Sequence, residues 1–190
     1  MANWFSAEFQ PDRLERTKEP KDERDFPKVA HFRSRMDDVE GFSEIWELVT
    51  DTVEATLGEY RKGMLLFLAD LPLRLGAYHQ LGTNNIVLNR RLVNIVEATT
   101  QSKKTVNAFI YSILTHEYLH ALGHVSETEV RAIVYDIARE CFGYDHTVTT
   151  LAEKSPWILL KDVPLNRVTM PEQAMELVKD LEKPNQHYIV

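Results

Sequence analysis

The sequence predicts an α+β domain: a central helix, flanked by further helices, against a small mixed or antiparallel sheet. Three observations carry that expectation. Residues 102–123 form a long, nearly continuous apolar stretch between a capping serine and a glycine. Residues 42–57 and 126–142 repeat apolar side chains at helical spacing. Between the first two of these stretches lie three short runs, 63–69, 73–80 and 84–89, separated by turns at Pro72 and at Gly82-Thr83, which read as strands.

The chain opens on segment 11–35, which is dense in charge of both signs and carries Pro11, Pro20 and Pro27. It shows no core-forming period, so residues 1–40 are expected to be an extended, solvated arm outside the domain. Such an arm can lie over a cleft as a latency segment or contact a protein partner. The domain is expected over 41–182, with 183–190 as a tail. Helix 42–57 shows Phe42, Ile45, Trp46, Val49, Val53 and Leu57 on one face and Gly58 as its stop, and is expected to pack on the sheet. Residues 90–97 read as short helical or irregular chain, and 98–101 as a loop. Ser126 caps a second long helix with Glu129 three residues on, a capping-box pattern, and Gly143 ends it. Val130, Ile133, Val134, Ile137, Ala138 and Cys141 mark its buried face. The segment 144–156 turns back with polar residues, Trp157–Leu160 reads as a short strand or packing loop, and a last helix is expected from Pro171 to Leu181.

Within the central stretch stands His116-Glu117-Tyr118-Leu119-His120, an HExxH pattern. Positions i and i+4 share one helix face, so both imidazoles can point at one metal ion. Glu117 sits one step round, where it reaches a metal-bound water rather than the metal. A helix apolar all round is buried, and two histidines and a glutamate inside it are costly unless something satisfies them. Two imidazoles plus a carboxylate suit zinc best, and one Zn2+ per chain is expected.

A catalytic zinc takes three protein ligands and a water. His124 continues the spacing of four, but three such residues on a straight helix span about 12 Å, too far for one ion unless Gly123 bends the chain. Glu127 and Glu129 open the next helix. At about 100° per residue, Glu127 lies roughly 45° from the centre of the apolar face and Glu129 more than about 100° away. Glu127 is therefore the first choice for third ligand, with Glu129 and then His124 as alternatives. His146 is a candidate donor to the transition-state oxyanion, if its loop returns to the cleft. Tyr118 faces away. If 84–89 is the sheet edge bordering the metal, then Asn85, Ile86, Val87 and Leu88 can bind an extended peptide by strand addition; otherwise they form an ordinary inner strand.

The bulk properties bound the remaining choices. The 190 residues carry 44% hydrophobic and 27% charged side chains, as an ordinary globular domain does. The net charge of −7 disfavours unspecific binding to nucleic acid, which is not expected as a partner. The single cysteine excludes an internal disulfide and a cysteine-based zinc site. The start lacks a signal-peptide core and no run spans a membrane, so a cytoplasmic protein without a membrane partner is expected.

The stretch HEYLHALG resembles the active-site helix of the zincin metallopeptidases. The metzincin continuation would place a histidine where Ser126 stands. A third ligand opening the next helix is similar instead to gluzincins, above all the compact minigluzincin and SprT-like proteins, over residues 42–142. The resemblance implies a compact zincin-like domain, His116 and His120 as ligands, Glu117 as base and acid, and Glu127 or Glu129 as third ligand. The function it implies is that of a zinc metallopeptidase acting on a peptide or protein substrate. The alternative is a catalytically silent adaptor, a protein-interaction module whose closed metal site takes a fourth ligand from His124 or His146.

Overall fold

A computed structural model describes residues 26–165 and 173–181. The elements run α1 (Phe26–Asp38), α2 (Phe42–Leu57), β1 (Leu65–Ala69), β2 (Ala77–His79), β3 (Asn85–Asn89), α3 (Arg90–Thr100), α4 (Lys103–Leu122), α5 (Glu127–Phe142) and α6 (Thr147–Lys154). A 3-10 helix (Pro156–Leu160) and β4 (Glu176–Leu177) follow. The architecture is α+β, with a four-stranded mixed sheet in the order β2-β3-β1-β4. β3 lies parallel to β1 and antiparallel to β2, and β4 lies antiparallel to β1. Among the described residues no helix is long and apolar enough to cross a membrane.

α4 is the axis of the fold. Ser102 Oγ accepts from the Thr105 N–H at 3.3 Å and starts it. Gly123, at φ 111°, ends it in the left-handed region that favours glycine. Every residue from Val106 to Leu119 is buried. The helix can be apolar all round because α1, α2, α3, α5 and α6 and strands β2 and β3 all pack against it. Trp46 of α2 meets Tyr118 edge-on at 5.1 Å, and Tyr111 meets Phe142 of α5 at 5.2 Å. α2 keeps its expected limits but packs on α4 rather than on the sheet. Cys141 is a buried thiol with Thr56 Oγ1 at 3.5 Å.

The domain begins before residue 41. α1 is a core helix: Phe32 and Met36 are buried, as is Val39 just beyond it, and Phe32 lies 6.3 Å from Phe142. Their spacing is helical, but Lys28, Arg33, Arg35 and Asp37 interleave it and find partners on α2, α4, α5 and the connection from α5 to α6. The arm before residue 26 and the tail 183–190 lie outside the described residues.

The strand NIVLN is not an edge. Hydrogen bonding to β1 on one side and β2 on the other makes it internal, and Ile86, Val87, Leu88 and Asn89 are buried. The edges are β2 and β4, so the strand-addition role expected for Asn85–Leu88 has no free backbone there. The buried Asn89 fixes this order. Its Nδ2 donates to the carbonyls of Leu71, Pro72 and Leu75, while its Oδ1 accepts from the N–H of Leu71 and of Arg91. One side chain thus caps α3 and holds the loop that carries the chain from β1 across to β2.

The C-terminal part also departs from expectation. Residues 147–154 form α6 rather than a polar turn, and Pro156–Leu160 form a 3-10 helix rather than a strand. The helix expected to Leu181 is not formed at 173–181: Phe67 pairs with Leu177 and Leu68 with Glu176 in the sheet. The nearly buried Asp70 accepts from the N–H of Gln173 at 2.7 Å and pairs with Arg90, which tethers this segment beside β1.

Candidate metal centre

Three side chains from two helices converge at the C-terminal end of α4. His116 and His120 stand one turn apart, with their Nε2 atoms 3.1 Å from each other. The chain reverses at Gly123, where the N–H of His124 bonds the carbonyl of Leu119 at 3.1 Å. Ser126 Oγ then accepts from the Glu129 N–H and starts α5. Val130 and Val134 face the core, and this turns Glu127, one helical turn before Val130 on the same face, toward the histidines. Glu127 Oε2 lies 3.3 Å from His116 Nε2, and Oε1 lies 3.2 Å from His120 Nε2.

The donor chemistry of this cluster suits a cation. His120 Nδ1 lies 2.6 Å from the carbonyl oxygen of His124, which only accepts, so that nitrogen carries the proton and Nε2 presents a lone pair. Burial holds the His116 imidazole below its ordinary value and so favours its neutral form. Contact with His116 holds the Glu127 carboxyl below its ordinary value, so it is ionised near neutral pH. Two imidazoles and a carboxylate therefore converge on one point. Their ligand atoms lie within 4.8 Å of one another, and among the described residues this is the group able to hold a metal ion.

Glu117 is placed differently. It leaves α4 toward the sheet edge, where Oε2 accepts from the backbone N–H of His79 in β2 at 2.9 Å. It is 4% exposed, and burial pushes its carboxyl up to about 7, despite the hydrogen bond from His79. A carboxyl with that value exchanges a proton readily at neutral pH.

The other candidates stand outside the cluster. Glu129 and His124 face each other, with Oε1 3.7 Å from Nδ1, and His124 Nε2 donates to Glu59 Oε2 at 3.1 Å. His146 is the N-cap of α6: its Nδ1 accepts from the Val148 N–H at 3.3 Å, and its ring stacks on Phe142 at 5.1 Å. Those contacts tie it to the C-terminal end of α5, so the expected oxyanion-donor role is not supported by its position. Tyr118 turns to the far side, where its hydroxyl accepts from the Arg61 N–H at 2.8 Å.

Two contributors were not anticipated. His79 belongs to the edge strand and reaches Glu117 through its backbone, which no side-chain pattern reveals. Gly76 was the available signal, since a glycine at the start of a strand marks a close backbone approach. A Cβ there would lie 3.1 Å from Ile113 Cδ1 of α4. Arg131 follows Glu127 by one helical turn, and its charge favours both neutral His116 and ionised Glu127. With Ser112, Val134, Ala152 and Ser155 it lines a cavity of about 20 Å³ beside His116.

No protein-family model, no curated protein and no solved structure matches this chain.

Proposed function

We propose that this chain is a zinc-dependent metallopeptidase whose metal is held by His116, His120 and Glu127. When bound, the ion supplies a Lewis acid that acidifies water and polarises the carbonyl of a peptide. Glu117 takes a proton from the attacking water as its oxygen adds to the carbonyl carbon. It returns that proton to the nitrogen as the C–N bond breaks, releasing a carboxyl product and an amine. The N–H of His79 holds one oxygen of Glu117 and leaves the other for this exchange.

The edge strand for an extended substrate is β2. In its antiparallel pairing with β3, Tyr78 turns its backbone groups toward Val87, while those of Ala77 and His79 point away from the sheet. The His79 N–H goes to Glu117 and Ala77 is buried, so a substrate reaches this edge at His79 and beyond. A peptide adding there runs beside the metal cluster.

The observation that carries the proposal is the convergence of three donors, His116, His120 and Glu127, with a second carboxylate, Glu117, buried beside them, where burial pushes its carboxyl up to about 7. An adaptor with a closed site would need a fourth protein ligand. The two residues considered for that role, His124 and His146, are engaged by Glu59 and Glu129 and by Val148 and Phe142. Cleavage of a degenerate peptide library by the zinc-loaded chain, lost on chelation and restored by zinc, is the expected result. Zinc-loaded protein that leaves the library intact would overturn the proposal.

A further inference from the structure

His124 makes contacts on every side. Its N–H is bonded to the Leu119 carbonyl, and its own carbonyl accepts from His120 Nδ1 at 2.6 Å. Its ring has one nitrogen on Glu59 Oε2 at 3.1 Å and the other 3.7 Å from Glu129 Oε1. Glu59 comes from the loop between α2 and β1. Glu129 sits in the first turn of α5, two residues after Glu127 and held there by Ser126.

We propose that His124 is a positioning residue of the metal centre: gripped between Glu59 and Glu129, it fixes both the carbonyl that orients His120 and the helical turn that carries Glu127. The inference rests on the metal-centre reading above. Two residues weighed as ligands from their spacing thus serve the ligands instead. The turn around Gly123 makes this necessary. Gly123 at φ 111° ends the helix, and beyond His124 the chain at Val125 and Ser126 is exposed, so the two residues after His124 add no packing to this corner. Without an anchor the carbonyl of His124 would move with the turn. The His120 ring would then lose the bond that sets its tautomer and aim. The Glu59 and Glu129 side chains are 41% and 57% exposed, so each contact alone is weak. Acting from opposite sides of one ring, they leave it a single position between two separate elements.

The test is zinc affinity, measured by competition with a chromophoric chelator on the full chain. It is paired with the tautomer of His120 in the metal-free protein, read from long-range proton–nitrogen NMR couplings. His124→Ala is expected to weaken zinc about 10- to 100-fold and to replace the single Nδ1–H form of His120 by a mixture. His124→Gln, which can still donate to one carboxylate, should recover part of that loss. Glu59→Gln should weaken zinc when made alone and add nothing to His124→Ala. If His124→Ala fails to fold, Glu59→Gln and Glu129→Gln carry the test, because both alter exposed side chains. Zinc affinity within about twofold of wild type in these variants, with His120 still in the Nδ1–H form, would overturn the proposal. A wild-type chain that takes up no zinc would sink the peptidase reading instead. The tautomer would then decide whether His124 sets the aim of His120: an unchanged Nδ1–H form in the variants rejects that, and its loss supports it.

Discussion

The backbone N–H of His79 donates to Glu117 Oε2 at 2.9 Å, tying the edge strand of the sheet to the HExxH helix. This bond sets where Glu117 points, and burial sets its proton affinity near 7. Glu117→Gln keeps the shape and can still accept from His79, but it cannot take a proton. Hydrolysis should fall by about 10²- to 10⁴-fold while zinc stoichiometry stays that of wild type. Peptide turnover and metal content measured on one preparation check both halves; retained turnover would refute the role.

Asn89 joins β3, α3 and the β1–β2 loop through five hydrogen bonds from one buried amide. Asn89→Ala leaves several buried backbone groups without partners and should cost about 3 kcal/mol. Urea unfolding measures the loss. A change below about 1 kcal/mol would show that the loop holds itself.

Phe32 tests where the domain begins. It is 5% exposed between α1 and the end of α5. Phe32→Ala should cost about 3 kcal/mol in the same urea experiment. Were α1 an appended arm, the unfolding midpoint would not move.

His146 predicts a pH dependence. Burial, then the charge of Arg33, holds its imidazole below the ordinary value. Its capping nitrogen accepts from Val148, so the fold requires the neutral form. The unfolded chain binds this proton first as pH falls, so the contribution is complete above the ordinary histidine value of about 6.5 and lost as pH falls through the folded value. His146→Asn caps without titrating. Between about pH 7.5 and 5.5, one unit either side of the ordinary value, metal-free wild type should lose more stability than His146→Asn. His79 and His116 titrate in both proteins and drop out of the comparison. Parallel losses would contradict the assignment.

What could be read from the sequence was set by nearest neighbours along the chain. Ser102, Gly123, Ser126 and Gly58 mark helix ends through their own backbone chemistry, and the helix limits there agree with the structure. The inward direction of Glu127 follows from its place above Val130 and Val134. Sheet order does not have that property. A run such as NIVLN looks alike whether one side or both sides of its backbone are paired, and the choice of β2 as edge is made by Asn89 and by the loop it holds. α1 was obscured because charged residues that pair across to other elements separate its apolar positions. Glu176–Leu177 pairs with β1 across more than a hundred residues, and Asp70, which tethers it, carries no local sign of that role.

The central claim is that His116, His120 and Glu127 hold one metal ion, and metal content measures it most directly. Wild type, Glu127→Ala and Glu129→Ala, purified without a histidine tag and dialysed against buffered zinc, would be compared by plasma mass spectrometry. The account predicts about one zinc per chain in wild type, loss of zinc in Glu127→Ala, and retention in Glu129→Ala with the weaker affinity of a supporting residue. Zinc retained by Glu127→Ala, or a wild type that takes up none, would contradict it.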